Sequence, residues 1–272
     1  MTSSTDATSA THLDHARLAA RDLLCHWQAG TAITQLPPDY RPQTRAQGYL
    51  AQRELMRMAG NSVPGWKIAA TSVAGQQHIH VSGPLAGAIH HGRVHTDGAS
   101  ISLRHNRMRV AECEMAFVFA RRLVPRSAPY SHDEALATLA TIHPAIEVPD
   151  SRFSPFEAAG EAQLIADNAC SHDFVLGRGM AIDARVMELA QHTVHARVSD
   201  GRQLSGTGAN VLGDPLVALV WFIHELSAAG ITIEPGQFVT TGACVTPIPI
   251  EPGQTVDADF GWLGRMTVRF GG

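Results

Sequence analysis

The chain has 272 residues, 44% hydrophobic and 17% charged, with a formal net charge of −4: enough apolar material for a sizeable core and too little charge for a disordered chain. That balance gives no electrostatic case for nucleic acid or an anionic membrane surface, and no run approaches the roughly 18 apolar residues of a membrane span. Four scattered cysteines, Cys25, Cys113, Cys170 and Cys244, lack disulfide-scaffold density and zinc-site spacing, which points to reduced thiols in a cytoplasm.

The opening residues have neither the basic nor the apolar region of a secretory signal, and 1–12 reads as a disordered tail. Helical spacing of Leu18, Leu23, Leu24 and Trp27 predicts a helix over 13–28. After a turn-rich stretch from Gln35 to Tyr40, a second helix is expected over 44–59, ending at Gly60 and Asn61. The texture then changes to short β-like runs punctuated by Gly and Pro, at 66–70, 100–103, 111–119, 145–148, 193–198 and 238–241. Helices interrupt them over 132–142 and 216–229, the latter with Asp214 as N-cap and Pro215 in its first turn. The expected fold is α+β, with a small helical N-terminal part over 13–62 and a β-rich body with inserted helices over 63–272.

Lys67 is the only lysine among 21 lysines and arginines, and it sits in the apolar segment Gly65-Trp66-Lys67-Ile68-Ala69-Ala70-Thr71. Two readings stand on the residue alone. An arginine-rich composition can leave one lysine by chance, or the position needs a compact charge whose pKa can be moved, which guanidinium does not provide.

The segment 110–123 adds carboxylates. On a strand, Ala111, Cys113, Met115, Phe117 and Phe119 form an apolar face, and the other face carries Glu112 and Glu114, then Ala116 and Val118. Two carboxylates at i and i+2 sit roughly 6–7 Å apart at the Cα level, and they repel unless a cation lies between them or one is protonated. A half-exposed strand with two glutamates would satisfy the same pattern. Glu147, inside the apolar run Pro144-Ala145-Ile146-Glu147-Val148-Pro149, shifts the balance, since an unpaired carboxylate there is expensive. Three glutamates without a His or Cys ligand pattern suit a hard, oxygen-ligated ion, with Mg²⁺ (or Mn²⁺) the best fit.

Taken in order, these segments resemble the 2-keto-4-pentenoate hydratase / 4-oxalocrotonate decarboxylase branch of the fumarylacetoacetate hydrolase superfamily. The resemblance rests on Gly48-Tyr49-Leu50-Ala51-Gln52, GWKIAATS at 65–72, VAECEMAFV at 110–118, PAIEVPDSRF at 144–153, IADNACSHDFVLG at 165–177, and the blocks at 208–222 and 239–250. It implies a fumarylacetoacetate hydrolase-like catalytic body over 63–272. It also implies Glu112, Glu114 and Glu147 as metal ligands, Lys67 as the active-site lysine, and Gln76, Asn168 and Thr241 as substrate-pocket candidates. The implied activity is hydration of a 2-hydroxy-2,4-dienoate to a 4-hydroxy-2-oxo acid in aromatic, meta-cleavage-type catabolism, by a homo-oligomer. The sequence departs from the family after the lysine strand, where Gly-Val-Asp-x-Pro-Asp-Phe-Gly is usual. Here the segment reads His80-Val81-Ser82-Gly83-Pro84-Leu85-Ala86-Gly87, so both aspartates are replaced, by Ser82 and Leu85. His78 or His80 could substitute as a base. Decarboxylation of a 2-oxo diacid, which needs no base to activate water, is the alternative, followed by acylpyruvate hydrolysis and then a non-catalytic scaffold partner.

Overall fold

Thr44 starts the second helix as its sequence suggests: its hydroxyl accepts a hydrogen bond from the Gln47 amide, and the helix α2 (Arg45–Met58) follows. The computed structural model describes residues 4–60 and 63–272, with side chains from residue 10 onward. The first helix, α1 (Ser4–Ala29), begins earlier than expected, so the tail expected over 1–12 is corrected from Ser4 on. Ala7 and Ala10 are strong helix formers, and extending a nucleated helix is far easier than starting one. Residues 1–3 and Asn61 lie outside the described residues. Gln52 of α2 ties the helical part to the body, donating to the carbonyls of Ala86 (3.1 Å) and Ile165 (2.7 Å).

The body runs β1 (Gly65–Ala69), α3 (Val73–His78), β2 (Leu85–Ile89), β3 (Val94–Thr96), β4 (Ser100–Ser102) and β5 (Val110–Phe119). After α4 (His132–Leu136) come β6 (Leu139–Val148), α5 (Glu161–Ala166), β7 (Asp173–Leu176), β8 (Met180–Ala181), β9 (Thr193–Val198) and β10 (Gln203–Thr207). The chain ends with α6 (Pro215–Ala228), β11 (Phe238–Ala243), β12 (Ile248–Pro249), β13 (Thr255–Asp259) and β14 (Arg265–Gly271).

The helix expected over 132–142 is another correction. A capping box between Ser131 and Glu134 starts α4, but it lasts five residues. Thr138, Thr141 and Ile142 are β-branched, and from Leu139 the chain pairs with β5 instead, where such side chains pack well.

One sheet has the order β2-β1-β11-β5-β6-β7-β3, with β12 on β5 and β8 on β6; a second has the order β10-β9-β13-β14-β4. Four adjacent strands of the first sheet line up the polar residues. Lys67 pairs with Thr240, Thr240 with Ala116, and Glu112 with Glu147. The β11–β5 register shifts between Thr240 and Ala243, which brings Ala243 opposite Glu114. Gly242 makes that irregularity, at φ +107, and a Cβ there would stand 2.2 Å from the Thr71 hydroxyl oxygen. No L side chain fits.

Asp214 caps α6, accepting from the Leu216 amide at 2.8 Å. The stretch Gly208–Ala228 has the length and mean hydropathy (1.4) of a membrane span, against the expectation that no run approaches one. Its Leu216, Leu219, Phe222, Ile223 and Leu226 are nevertheless buried in the core, with Phe222 against Trp66 and Phe119.

Candidate metal centre and the cavity beside it

Strand pairing assembles the three glutamates. Glu112 and Glu114 share a face of β5, Glu147 stands opposite Glu112 on β6, and one carboxylate oxygen from each lies within 4.8 Å of the others. Glu114 and Glu147 are 1% exposed, while Glu112 is half-buried. Glu114 Oε2 accepts hydrogen bonds from the Thr240 hydroxyl and from the Gly242 amide (3.1 Å). Its Oε1 and Glu147 Oε2 accept no hydrogen bond from the described residues, and Glu147 Oε1 is met only by the Lys67 ammonium.

Lys67 is buried on β1, with Nζ 3.3 Å from Glu147 Oε1 and donating to the Ala169 carbonyl at 3.1 Å. That carbonyl is presented by a turn in which Asn168, Ala169 and Cys170 all take left-handed backbone angles (φ +53, +50 and +64). Such angles cost about 1 kcal/mol or more per non-glycine residue and persist only where surrounding contacts enforce them. Gly87 on β2 permits the close approach, since a Cβ there would be 1.9 Å from the Asn168 carbonyl oxygen.

Burial raises the pKa of all three glutamates above the ordinary carboxylate value. Repulsion from Glu147 and Glu112 pushes Glu114 further up, whereas Lys67 pulls Glu112 and Glu147 back. Burial opposes the charge on Lys67, but attraction to Glu147 and Glu112 outweighs it and holds its pKa above normal. With all three carboxylates ionised, as a bound cation would require, they and the one ammonium carry a formal charge of −2 in a site largely shut from water. Three clustered carboxylates, with Glu114 Oε1 and Glu147 Oε2 left unpartnered, fit a divalent cation in charge and donor type, and the cluster could hold one.

A cavity of about 680 Å³ opens beside the cluster, with Lys67, Glu112 and Glu114 on its wall and Glu147 behind it. The three expected substrate-pocket residues, Gln76, Asn168 and Thr241, do not line that wall. Gln76 turns back to donate to the Ala70 carbonyl at 3.1 Å, although its neighbour Gly75 lines the cavity. Asn168 faces a separate cavity with Trp27 and His172, its amide 3.6 Å from Met56 Sδ. Thr241 donates to the Met115 carbonyl at 3.0 Å, on the opposite face of β11. Its neighbour Thr240 reaches Glu114 instead. Alternation on β11 against the Glu114 face carried that distinction, but only once the register was known.

His78 is on the cavity rim, its side chain 61% exposed and 3.8 Å from Glu157. His80 is exposed and off the wall, as are Ser82, which donates to Glu161 at 3.1 Å, and the buried Leu85. Two contributors went unread in sequence: the Ala169 carbonyl and the Gly242 amide, both backbone groups that no residue pattern announces.

No family model matches the chain. Among curated proteins, it is 28% identical over 255 residues to the 2-keto-4-pentenoate hydratase of Paraburkholderia xenovorans (strain LB400), covering 93% of each chain. It is 31% identical over 223 residues to the TodF product hydratase of Pseudomonas putida, covering 80% of each. Among solved structures, the 4-oxalocrotonate decarboxylase from Pseudomonas putida G7, complexed with magnesium and adipate, superposes with a TM-score of 0.82 at 25% identity, over 94% of this chain and 97% of that one. The chain belongs to the 2-keto-4-pentenoate hydratase / 4-oxalocrotonate decarboxylase branch of the fumarylacetoacetate hydrolase superfamily.

Proposed function

We propose that the protein is a metal-dependent hydratase that adds water to a 2-hydroxy-2,4-dienoate, giving a 4-hydroxy-2-oxo acid. The observation that carries this reading is the three-glutamate cluster, with Glu114 Oε1 and Glu147 Oε2 unpartnered, beside a buried lysine on the cavity wall. Hydratases predominate among the relatives' names, which include a 2-hydroxyhexa-2,4-dienoate hydratase from Comamonas testosteroni.

Glu112, Glu114 and Glu147 would hold the ion. Mg²⁺ is the proposed one because all donors are hard oxygens and the related decarboxylase was solved with magnesium; Mn²⁺ is a substitute of the same chemistry. When bound, it supplies Lewis-acid stabilisation of negative charge developing on the substrate. The Thr240 hydroxyl and Gly242 amide hold Glu114 in one orientation. Lys67, with Nζ 3.3 Å from Glu147 Oε1, would add a positive charge beside the ion. His78, the histidine on the wall, would be the group to take the proton of an attacking water. A homo-oligomer in the cytoplasm completes the proposal, and light scattering of the purified chain checks the assembly.

Decarboxylation of a 2-oxo diacid stays as the second reading because one observation favours it: neither Ser82 nor Leu85 supplies a carboxylate base. Product analysis with Mg²⁺ separates the two. Conversion of 2-hydroxypenta-2,4-dienoate to 4-hydroxy-2-oxopentanoate is the expected result. Carbon dioxide release from 4-oxalocrotonate, without hydration of the dienoate, would reverse the order.

A further inference from the structure

We infer that the cavity takes a monocarboxylate with an uncharged, apolar tail and discriminates against the matching dicarboxylate. The inference rests on the hydratase reading for the chemistry at the glutamates but concerns the other end of the substrate.

Among the described residues, Lys67 is the only lysine or arginine on the cavity wall. It is already committed, with Nζ between Glu147 and the Ala169 carbonyl. Much of the remaining wall is apolar: Ile79, Met108, Phe156, Val245 and Pro247. The arginines next to wall residues are engaged elsewhere. Arg107 and Arg109, which flank Met108, donate to the Gly30 carbonyl at 2.7 Å and pair with Glu251 at 2.9 Å, respectively, and farther off Arg152 is buried against Asp150 with its guanidinium over the Trp27 ring. His78, the remaining cationic candidate at the rim, has Glu157 at 3.8 Å, so a second carboxylate would meet a like charge there.

A substrate's first carboxylate can be served by the cation the glutamates would hold, together with Lys67. A second one, carried on the tail, finds no counter-charge and would lose water against apolar side chains, which is unfavourable for an ion without a partner. A methyl-terminated tail instead removes apolar surface from water. Specificity of this kind comes from what the wall omits as much as from what it offers.

The test is calorimetric binding, with saturating Mg²⁺, of 2-oxohexanoate and 2-oxoadipate. These acids share a backbone length and differ in ending with a methyl or a carboxylate. Binding of the diacid at least about 30-fold weaker is expected, the loss typical of a buried charge left unpaired. Turnover of 2-hydroxypenta-2,4-dienoate and of 2-hydroxyhepta-2,4-diene-1,7-dioate is measured alongside. Equal or tighter binding of the diacid would overturn the tail assignment and leave hydration standing. Preference for the monoacid without hydration of either dienoate would support the tail assignment and overturn the hydratase reading. Failure of both acids to bind would overturn the tail assignment, and absence of turnover on both dienoates would overturn the hydratase reading.

Discussion

Two of the buried charge clusters among the described residues are built to opposite rules. Around Arg152, every carboxylate is served: Asp150 pairs with the guanidinium and accepts the Arg107 amide at 2.8 Å. Asp167 accepts from the Ser151 hydroxyl, the Arg152 amide and the Trp27 indole at 2.7–2.8 Å. Around Lys67, three glutamates face one ammonium, and two buried carboxylate oxygens, Glu114 Oε1 and Glu147 Oε2, have no partner. A closed network, its carboxylates all served, locks loops together, whereas an open one with unserved carboxylates offers donors for a divalent ion. The motif PAIEVPDSRF supplies both clusters, Glu147 to one and Asp150 and Arg152 to the other.

The contrast can be broken by mutation, and the largest effect belongs to the open cluster. Glu114→Gln should lower Mg²⁺-dependent turnover by more than about 100-fold, since even the outer partners of metal ligands are worth 10–100-fold. Its denaturant midpoint without metal should hold or rise, because a buried charge has been removed. Arg152→Met should do the reverse: a loss of about 3–5 kcal/mol in urea unfolding, from carboxylates left without their cation. If the two variants exchanged these outcomes, the functional and structural labels would have to be swapped.

A finer break uses adjacent residues of β11. Thr240→Val should cost about 10-fold in turnover through a loosened Glu114, and Thr241→Val should leave kcat near wild type with a small fall in Tm. Kinetics of the pair checks the register directly.

The smallest effect is in pH. Burial raises the glutamates, Glu147 to about 7, and also pushes Asp167 up to about 6. An acid whose folded pKa is raised stays protonated when the unfolded chain has let go. The metal-free protein should therefore lose stability as pH climbs from about 4.5 to about 7. Mg²⁺ should offset the glutamate share alone, so its increase in Tm should be larger at pH 8 than at pH 5.5. A metal-induced shift independent of pH would contradict that coupling.

Much of the site was legible in the chain. Spacing put Glu112 and Glu114 on one face, and the apolar setting of Glu147 and Lys67 marked both as requiring partners. What joined them was not legible, because the pairing of Glu112 with Glu147 is a register between strands and leaves no local trace. The same gap explains why Thr241 was favoured over Thr240. The segment 132–142 failed for a different reason: α4 is properly capped, and only pairing with β5 ends it after Leu136. Tertiary context outweighed local propensity there.

The most direct test of the central claim is the hydration rate of 2-hydroxypenta-2,4-dienoate after chelation of the purified protein, followed as Mg²⁺ is added back. Loss of activity on chelation and its recovery in wild type, but not in Glu114→Gln, is the result this account requires. An undiminished rate in the metal-free wild-type protein would contradict it.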